Sequence, residues 1–143
     1  MTDTGNLLSA SPARLAVGAE NLAAAIDACL TCLQACTVCA DADLVEEDIA
    51  TLRTCIALNH ACADVCDTTA RALSRPAQWD DPTVHLLLET CVRACRVCAE
   101  ECARHAQHHR HCAICEEECR ACIRACTALL EAEGLQRSPT SDA

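Results

Sequence analysis

The fold of this chain is decided by residues 91–126, which read CVRACRVCAEECARHAQHHRHCAICEEECRACIRAC. Cysteine recurs there every three or four residues, in two runs that flank a histidine-rich segment. At about 100° per residue, steps of three and four keep one residue type on one face of an α-helix. The stretch therefore predicts two helices joined by a short connection, each with a stripe of thiols on its buried face.

The N-terminal half repeats the pattern in ACLTCLQACTVC, residues 28–39, and more sparsely in residues 55–66. Two helical hairpins with short connections make antiparallel neighbours. The sequence thus predicts an all-α fold in a single domain, an antiparallel up-down-up-down four-helix bundle with a cysteine-lined core. The helices are predicted at about 12–42, 44–73, 82–107 and 109–133, with frayed tails at 1–10 and 135–143.

The predicted boundaries follow from residues that favour helix ends. Ser11 and Pro12 form a cap followed by proline at the first helical position. Asp43, with Glu46 three residues later, resembles a capping box and predicts the start of the second helix. Gly134 is expected to end the fourth.

Cysteine takes the place of the usual core residues. The chain has 16 cysteines among 143 residues, one tryptophan and no phenylalanine or tyrosine. A purely structural role for buried cysteine, as a small hydrophobic residue, explains one or two thiols in a domain but not this number. The remaining interpretations are a disulfide scaffold, metal binding or redox chemistry.

The N-terminus has no basic start and no apolar core of signal-peptide length, and no later segment is expected to span a membrane. The predicted location is the cytoplasm, where thiols stay reduced and disulfide scaffolds are rare. The net charge of −10 leaves no concentrated basic surface. Neither nucleic acid nor a membrane is therefore an expected partner, and metal binding is favoured.

The spacing and charge of the thiols favour Cu(I). Residues three or four apart on a helix have Cβ atoms about 5–6 Å apart, so neighbouring sulfurs can hold one soft, low-coordinate ion. Sixteen thiolates around four Zn²⁺ ions would leave a net charge of −8, whereas about one Cu(I) per thiolate leaves none. A general thiol-rich zinc or toxic-metal buffer is the alternative. An enzyme or redox relay is a weaker one, because it needs a single activated pair in an electropositive setting.

The predicted Cu(I) ligands begin with the thiols of the four stripes: Cys29, Cys32, Cys36, Cys39, Cys55, Cys62, Cys66, Cys91, Cys95, Cys98, Cys102, Cys112, Cys115, Cys119, Cys122 and Cys126. His105 and His109 continue the third stripe with the same rhythm. This predicts imidazole ligands at the end of the bundle where ions enter and leave. His108 and His111 lie in the same turn and are expected to face inward less.

Asn59 occupies the stripe of the second helix, in register between two cysteines. Its amide oxygen is either a weak ligand or a partner in a hydrogen bond between helices, and the sequence leaves both open. His60 and His85 point away from the stripes and are predicted on the surface. Leucines and Trp79 mark the opposite end, which is predicted to be dry and closed.

The sequence resembles the bacterial copper storage proteins, in particular their cytosolic branch, over roughly 12–133. The resemblance rests on the four cysteine stripes, the turn CARHAQHHRHC and Asn59 within the second helix. It implies a four-helix bundle that holds many Cu(I) ions along its core and assembles as a homotetramer. It also implies ligation by the matching cysteines, with His105, His109, His111 and Asn59 near the opening. The second helix carries only three cysteines, which puts the family's local cluster details in doubt there.

Overall fold

Five α-helices make up the chain in this computed structural model, which describes residues 3–15 and 17–132. They are α1 (Thr4–Ala10), α2 (Ala19–Asp43), α3 (Arg53–Leu73), α4 (Asp81–Ala103) and α5 (Arg110–Glu131). Short 3₁₀ turns at Ile49–Leu52 and Pro76–Gln78 precede α3 and α4. All regular structure in the described residues is helical, which confirms the predicted all-α class.

The four long helices, α2 to α5, form a bundle in which each packs against two neighbours. α2 packs on α3 and α5, and α4 packs on the same two helices. Short connections make consecutive helices antiparallel, so the predicted up-down-up-down bundle is confirmed. Each helix turns its cysteine stripe inward, and all 16 cysteines are buried.

One end of the bundle is closed by an apolar plug of four fully buried leucines: Leu22, Leu73, Leu88 and Leu129. Each long helix supplies one of them. Burying a leucine contributes about 1.5–3 kcal/mol to stability, so the plug supplies cohesion at the end that lacks thiols. Trp79 packs against this core, and its indole N–H donates to the carbonyl oxygen of Ala72 at 3.2 Å.

The N-terminal tail, predicted to be frayed over 1–10, is helical from Thr4 onward. The carboxylate of Asp3 caps α1 by accepting a hydrogen bond from the backbone N–H of Asn6 at 3.0 Å. Leu8 of this helix is buried in the core. The prediction of a frayed tail is therefore wrong for these residues, because an N-cap and one buried leucine fix the first helix.

The first long helix was expected to begin at residue 12, and α2 instead begins at Ala19. Ser11 has an extended backbone, as the residue before a proline favours. Its hydroxyl oxygen accepts a hydrogen bond from the N–H of Ala13 at 3.1 Å, which stabilises a turn. Ser11 and Pro12 therefore end α1 and do not open α2.

The second long helix also begins later than the predicted residue 44, at Arg53. Asp43 does not cap it, because Asp43 is the last residue of α2 and is fully buried. Glu46 lies in the turn that follows, where its carboxylate contacts His109 at 3.0 Å and His111 at 2.8 Å. The apparent capping box is wrong because both acidic side chains have partners on the other hairpin.

The connection between the last two helices is longer than predicted. α4 ends at Ala103 and α5 begins at Arg110, whereas the sequence predicts helix to 107 and from 109. The N–H of His105 bonds to the carbonyl oxygen of Cys102 at 3.0 Å, which turns the chain out of the helix. The predicted end at 133 and the tail 135–143 lie outside the described residues.

His85 is buried, although the sequence predicts it on the surface. It is 9% exposed, and its Nε2 lies 3.1 Å from a carboxylate oxygen of Glu89, one turn later in α4. This pairing gives the buried ring a polar partner. His60 is exposed, as predicted.

α2 is long and apolar enough to cross a membrane, contrary to the expectation that no segment approaches a span. Alanine and cysteine supply most of this apolar character. The core helices of soluble proteins share this length and apolar character. In this fold α2 packs against α3 and α5 and buries its cysteines among them.

Candidate metal centre

The 16 cysteines form a thiol ladder along the bundle axis. Twelve of them make one network of sulfur contacts. Two further pairs, Cys55 with Cys102 and Cys39 with Cys112, each lie 3.8 Å apart. All are free, and none is more than 1% exposed. Neighbouring sulfurs lie 3.6–4.0 Å apart, with 3.6 Å between Cys32 and Cys119 and 3.7 Å between Cys62 and Cys95. These distances are far longer than a disulfide bond, so the ladder consists of separate thiols that can each bind a metal.

Groups of four sulfurs follow one another along the ladder from the leucine plug. They are Cys29, Cys91, Cys122 and Cys126; Cys32, Cys66, Cys95 and Cys122; Cys32, Cys36, Cys62 and Cys119; and Cys36, Cys98, Cys115 and Cys119. The sulfurs of each group lie within 4.8 Å of one another. Neighbouring groups share cysteines, unlike the closed, isolated ligand sets of structural zinc sites. An ion held by one group is therefore adjacent to the next.

Hydrogen bonds among the thiols shift their pKa values in both directions. Hydrogen bonding with Cys119 lowers the pKa of Cys32 from its ordinary 9.0 to about 7. Hydrogen bonds with neighbouring thiols, together with burial, raise the pKa values of Cys36 and Cys66. The thiols thus share protons, and a metal ion that binds thiolates must displace them.

Asn59 interrupts the ladder on α3 and is fully buried. Its Oδ1 accepts hydrogen bonds from the thiols of Cys98 at 3.1 Å, Cys115 at 3.3 Å and Cys102 at 3.6 Å. Its Nδ2 donates to the sulfur of Cys55 at 3.6 Å. The amide oxygen therefore lies among thiols of α4 and α5, in a position to bond with them or to bind an ion.

The end opposite the leucine plug, here called the mouth, is formed by residues 43–52 and 103–112. Three side chains of the mouth and Cys39, one turn further into α2, form the mouth cluster, whose ligand atoms lie within 4.8 Å of one another: Cys39, Asp43, His111 and Cys112. Nδ1 of His111 lies 3.3 Å from Sγ of Cys39 and 3.7 Å from Sγ of Cys112. Oδ1 of Asp43 lies 3.6 Å from the same nitrogen and 3.7 Å from Sγ of Cys112.

Of the three predicted histidines, His111 is the one that contacts thiols. Nε2 of His105 lies 2.8 Å from a carboxylate oxygen one turn earlier in the chain, and His109 contacts Glu46 and Asp48 at 3.0 Å each. Among the described residues, neither His105 nor His109 lies within hydrogen-bonding distance of a cysteine sulfur. The rings of His109 and His111 stack with centroids 5.4 Å apart, so His109 supports the ring that meets the thiols.

Carboxylates surround these two imidazoles. A hydrogen bond with Asp48 raises the pKa of His109 above its ordinary value and lowers the pKa of Asp48. Burial by itself lowers the pKa of His111, but hydrogen bonds to Cys39 and Glu46 outweigh it and raise that pKa. The groups around His109 and His111 therefore stabilise their protonated imidazoles, and a metal cation that binds there must displace the proton.

Asp43 is the member of the mouth cluster that the sequence reasoning missed. It follows Cys39 by four residues and so continues the stripe of α2 by one further step. In the sequence, the stripe of α4 extends in this way from Cys102 to His105. The stripe of α2 was not extended to Asp43, because the spacing of Asp43 and Glu46 suggests a helix cap. Continuing every stripe to the end of its helix would have identified the carboxylate.

Comparison with known proteins gives consistent matches. Residues 18–131 match the family model described as Csp, copper storage protein. The copper storage protein Ccsp from Streptomyces lividans, in a structure loaded with 10 copper equivalents, is 45% identical, with a TM-score of 0.88. That match covers 90% of this chain and 98% of the other.

Two further structures are similar. A structure of copper loading, with five coppers, to a cytosolic copper storage protein from Streptomyces lividans is 47% identical, covers 80% of this chain and 96% of that chain, and has a TM-score of 0.79. The Cu(I)-bound copper storage protein BsCsp3 is 31% identical, covers 74% of this chain and 94% of that chain, and has a TM-score of 0.67. The family model spans most of the described bundle, and the chain therefore belongs to the copper storage protein family, Csp.

Proposed function

We propose that this chain stores Cu(I) in its thiol ladder and acts as a metal store, not as an enzyme. The observation that carries the proposal is the thiol ladder itself, 16 free and buried thiols that each have a neighbouring sulfur 3.6–4.0 Å away. Soft thiolates select Cu(I), and each monovalent ion balances one thiolate charge. The related Ccsp loaded with 10 copper equivalents and the Cu(I)-bound BsCsp3 support this assignment.

The 16 cysteines are the proposed ligands of the store, and the histidines serve its mouth. His111 is assigned first contact because its Nδ1 lies 3.3 Å from Sγ of Cys39. His105 and His109 are assigned outer roles, since their described partners are carboxylates. The amide oxygen of Asn59 is assigned a weak contact that ions meet between the mouth and the four-sulfur groups.

Loading through this arrangement exchanges protons for metal. The pKa values of thiols such as Cys36 and Cys66 are raised by hydrogen bonds with neighbouring thiols and by burial, so these thiols hold their protons until Cu(I) arrives. Each bound ion then releases about one proton per thiolate formed. Because neighbouring four-sulfur groups share cysteines, an ion moves from one of these groups to the next by replacing one sulfur at a time.

The proposed setting is the cytoplasm, where the protein assembles as a homotetramer. The description of the Streptomyces lividans relative as a cytosolic copper storage protein supports the location. Exposed apolar side chains on the outer faces of α2 and α5, among them Leu30, Val38 and Ile114, give a surface suited to contacts between copies. Light scattering coupled to size exclusion measures the assembly, and the mass of a single chain would contradict the tetramer.

Anaerobic titration of the reduced chain with Cu(I), followed by elemental analysis, tests the storage function. The expected capacity is at least about ten ions per chain, since roughly one ion per thiolate keeps the core neutral. Saturation at about four or fewer ions would match isolated four-thiolate sites and would contradict the proposal. Titration with Cu(I) and Zn²⁺ together separates copper storage from a general zinc or toxic-metal buffer.

A further inference from the structure

The outer face of α2 carries no charge over residues 28–40. Leu30 and Val38 are 46% and 57% exposed on this face, and Gln34 is exposed between them. The other long helices carry exposed charged side chains along their length: Asp64, Arg93 and Arg124. Contiguous exposed apolar surface on a folded chain marks a site of contact with another molecule. The outer face of α2, here called the α2 face, is therefore a candidate interface.

The half of the α2 face nearest the leucine plug forms a groove of about 680 Å³. Ile26 and Leu30 of α2 line it, together with Leu7 of α1 and the end of α3. Leu7 is 59% exposed, so an apolar side chain of α1 adds to the open surface. The hydroxyl of Thr4 donates a hydrogen bond to the carboxylate of Asp27, which holds α1 against α2 at this groove. The groove is therefore built into the fold.

The half of the α2 face nearest the mouth is apolar as well. Val38 and Ile114 of α5 line one hollow between α2 and α5, and Ile114 is 40% exposed. A second copy turned end for end sets this half of each chain against the groove half of the other. Such a pair has a twofold axis, the commonest symmetry of soluble homo-oligomers, and both copies use the same surface. The α2 face thus offers apolar side chains at both halves of a self-complementary contact.

The charges that border the α2 face favour the same antiparallel arrangement. Arg71 borders the groove half, where it lines a surface hollow with Leu30. Asp41 is exposed beyond Val38 at the mouth end. Among the described residues, neither Arg71 nor Asp41 forms an ion pair. Gln34 lies midway between Leu30 and Val38 in the sequence. A twofold axis near Gln34 then brings Asp41 of each chain to the end where the other carries Arg71.

We propose that the α2 face is an interface between two copies of this chain, packed antiparallel about a twofold axis near Gln34. This interface rests on the assembly proposed above and does not depend on copper storage. The net charge of −10 disfavours nucleic acid and anionic membranes as occupants, whereas a second copy supplies both apolar surface and a matching charge. Antiparallel packing directs the two mouths to opposite ends of the pair, so each ladder keeps its own opening.

Val38→Asp tests the interface, with Leu86→Asp as the matched control. Leu86 is 54% exposed on α4, so the control places the same charge at a similarly exposed apolar position on a different helix. Light scattering coupled to size exclusion measures the mass of each reduced apo-protein. Val38→Asp is expected to have half the wild-type mass or less, because burying a carboxylate without a partner is costly. Leu86→Asp is expected to keep the wild-type mass. A folded Val38→Asp variant with the wild-type mass would overturn the proposal.

An exchange of charge tests the antiparallel geometry at two exposed polar positions. Arg71→Glu and Asp41→Arg each create like-charge contacts across the twofold axis, and each is expected to raise the dissociation constant at least about tenfold. An equimolar mixture of the two variants is expected to assemble as the wild type does, because every such contact then joins opposite charges. A mixture no tighter than its separate components, or single variants that assemble as tightly as the wild type, would overturn the antiparallel arrangement.

Cu(I) titration of the same proteins separates this interface from the storage function. All 16 thiols are buried within one bundle, so a dissociated variant is expected to keep the wild-type Cu(I) capacity per chain. A wild type with the mass of a single chain would overturn the interface and leave storage intact. Its flotation with neutral lipid vesicles would then assign the α2 face to a membrane. Low Cu(I) capacity in a wild type that assembles through this face would contradict storage alone.

Discussion

The Sγ atom of Cys39 lies 3.3 Å from Nδ1 of His111, which joins the end of α2 to the first turn of α5. Sγ of Cys112 lies 3.7 Å from the same nitrogen. His111 therefore bridges two thiols that come from opposite halves of the chain. This contact places an imidazole at the outermost pair of thiols in the ladder. A single substitution at the mouth is therefore expected to change the rate of Cu(I) uptake.

Replacing His111 with alanine is expected to slow the uptake of Cu(I) about tenfold, the lower end of the effect of removing a partner at a metal site. The final capacity should stay nearly unchanged, because all 16 thiols remain. Stopped-flow loading under anaerobic conditions measures the rate. His60→Ala is the matched control, since His60 is exposed on α3. Uptake at the wild-type rate would mean that ions enter elsewhere.

Replacing Cys122 with serine is expected to reduce the Cu(I) capacity by about one ion, because each thiolate balances about one monovalent charge. Cys122 belongs to two of the four-sulfur groups. If each group bound metal as a closed unit, the loss of the Cys122 thiol would instead remove the ions of both groups that contain it. Elemental analysis after anaerobic loading decides between these outcomes, and circular dichroism checks that the apo bundle is intact.

The leucine plug is expected to hold the bundle together before any metal arrives. Leu88→Ala should lower the free energy of unfolding of the apo-protein by about 2–5 kcal/mol, the usual cost of such a cavity. Leu86→Ala is the control on the same helix, because Leu86 is 54% exposed, and its effect should stay within about 0.5 kcal/mol. Urea unfolding followed by circular dichroism measures both. An apo chain without helical signal would contradict this account.

The pairing of His109 with Asp48 is expected to make the stability of the apo mouth depend on pH. The pKa of His109 is raised above 6.5. The stability that His109 contributes to the folded apo-protein is therefore complete below pH 6.5 and is lost as pH rises through the raised pKa. The pKa of Asp48 is lowered below 3.8, so its contribution is present above that value and is lost as pH falls through the lowered pKa. The pair therefore stabilises most between those two values.

Thermal unfolding of Asp48→Asn tests this window. The variant should lose more stability relative to the wild type at about pH 5.5, where His109 is charged, than at a pH above the raised pKa of His109, where the imidazole is neutral. Asp64→Asn is a suitable control, since Asp64 is exposed on α3. An equal loss at both pH values would show that the contact acts without the imidazolium charge.

The bundle and the thiol ladder could be predicted because a period of three and four residues is a local property of each helix. Cys91 and Cys95 reveal their shared face without reference to any other helix. The mouth could not be predicted in this way. His105 keeps the rhythm of α4 in the sequence, but the helix has already ended at Ala103, so the rhythm no longer describes a common face.

Residues whose role depends on another hairpin were also misassigned. Asp43 and Glu46 have the spacing of a cap, and their actual partners, His109 and His111, are more than 60 positions away in the chain. Pro12 was ambiguous for a different reason, because proline both begins helices and ends the helix before it. In each case packing between distant segments selected one of two locally reasonable structures.

The leucine plug makes the ladder a dead-end channel that opens to solvent at the mouth. A channel closed at one end fills at its inner levels and empties from its outer ones, so the last ions to arrive are the first to depart. Copper taken up in an early pulse of one isotope would therefore be released after copper of a second isotope supplied later. The age of an ion in the protein, and not only the total amount bound, would then determine how readily it can be withdrawn.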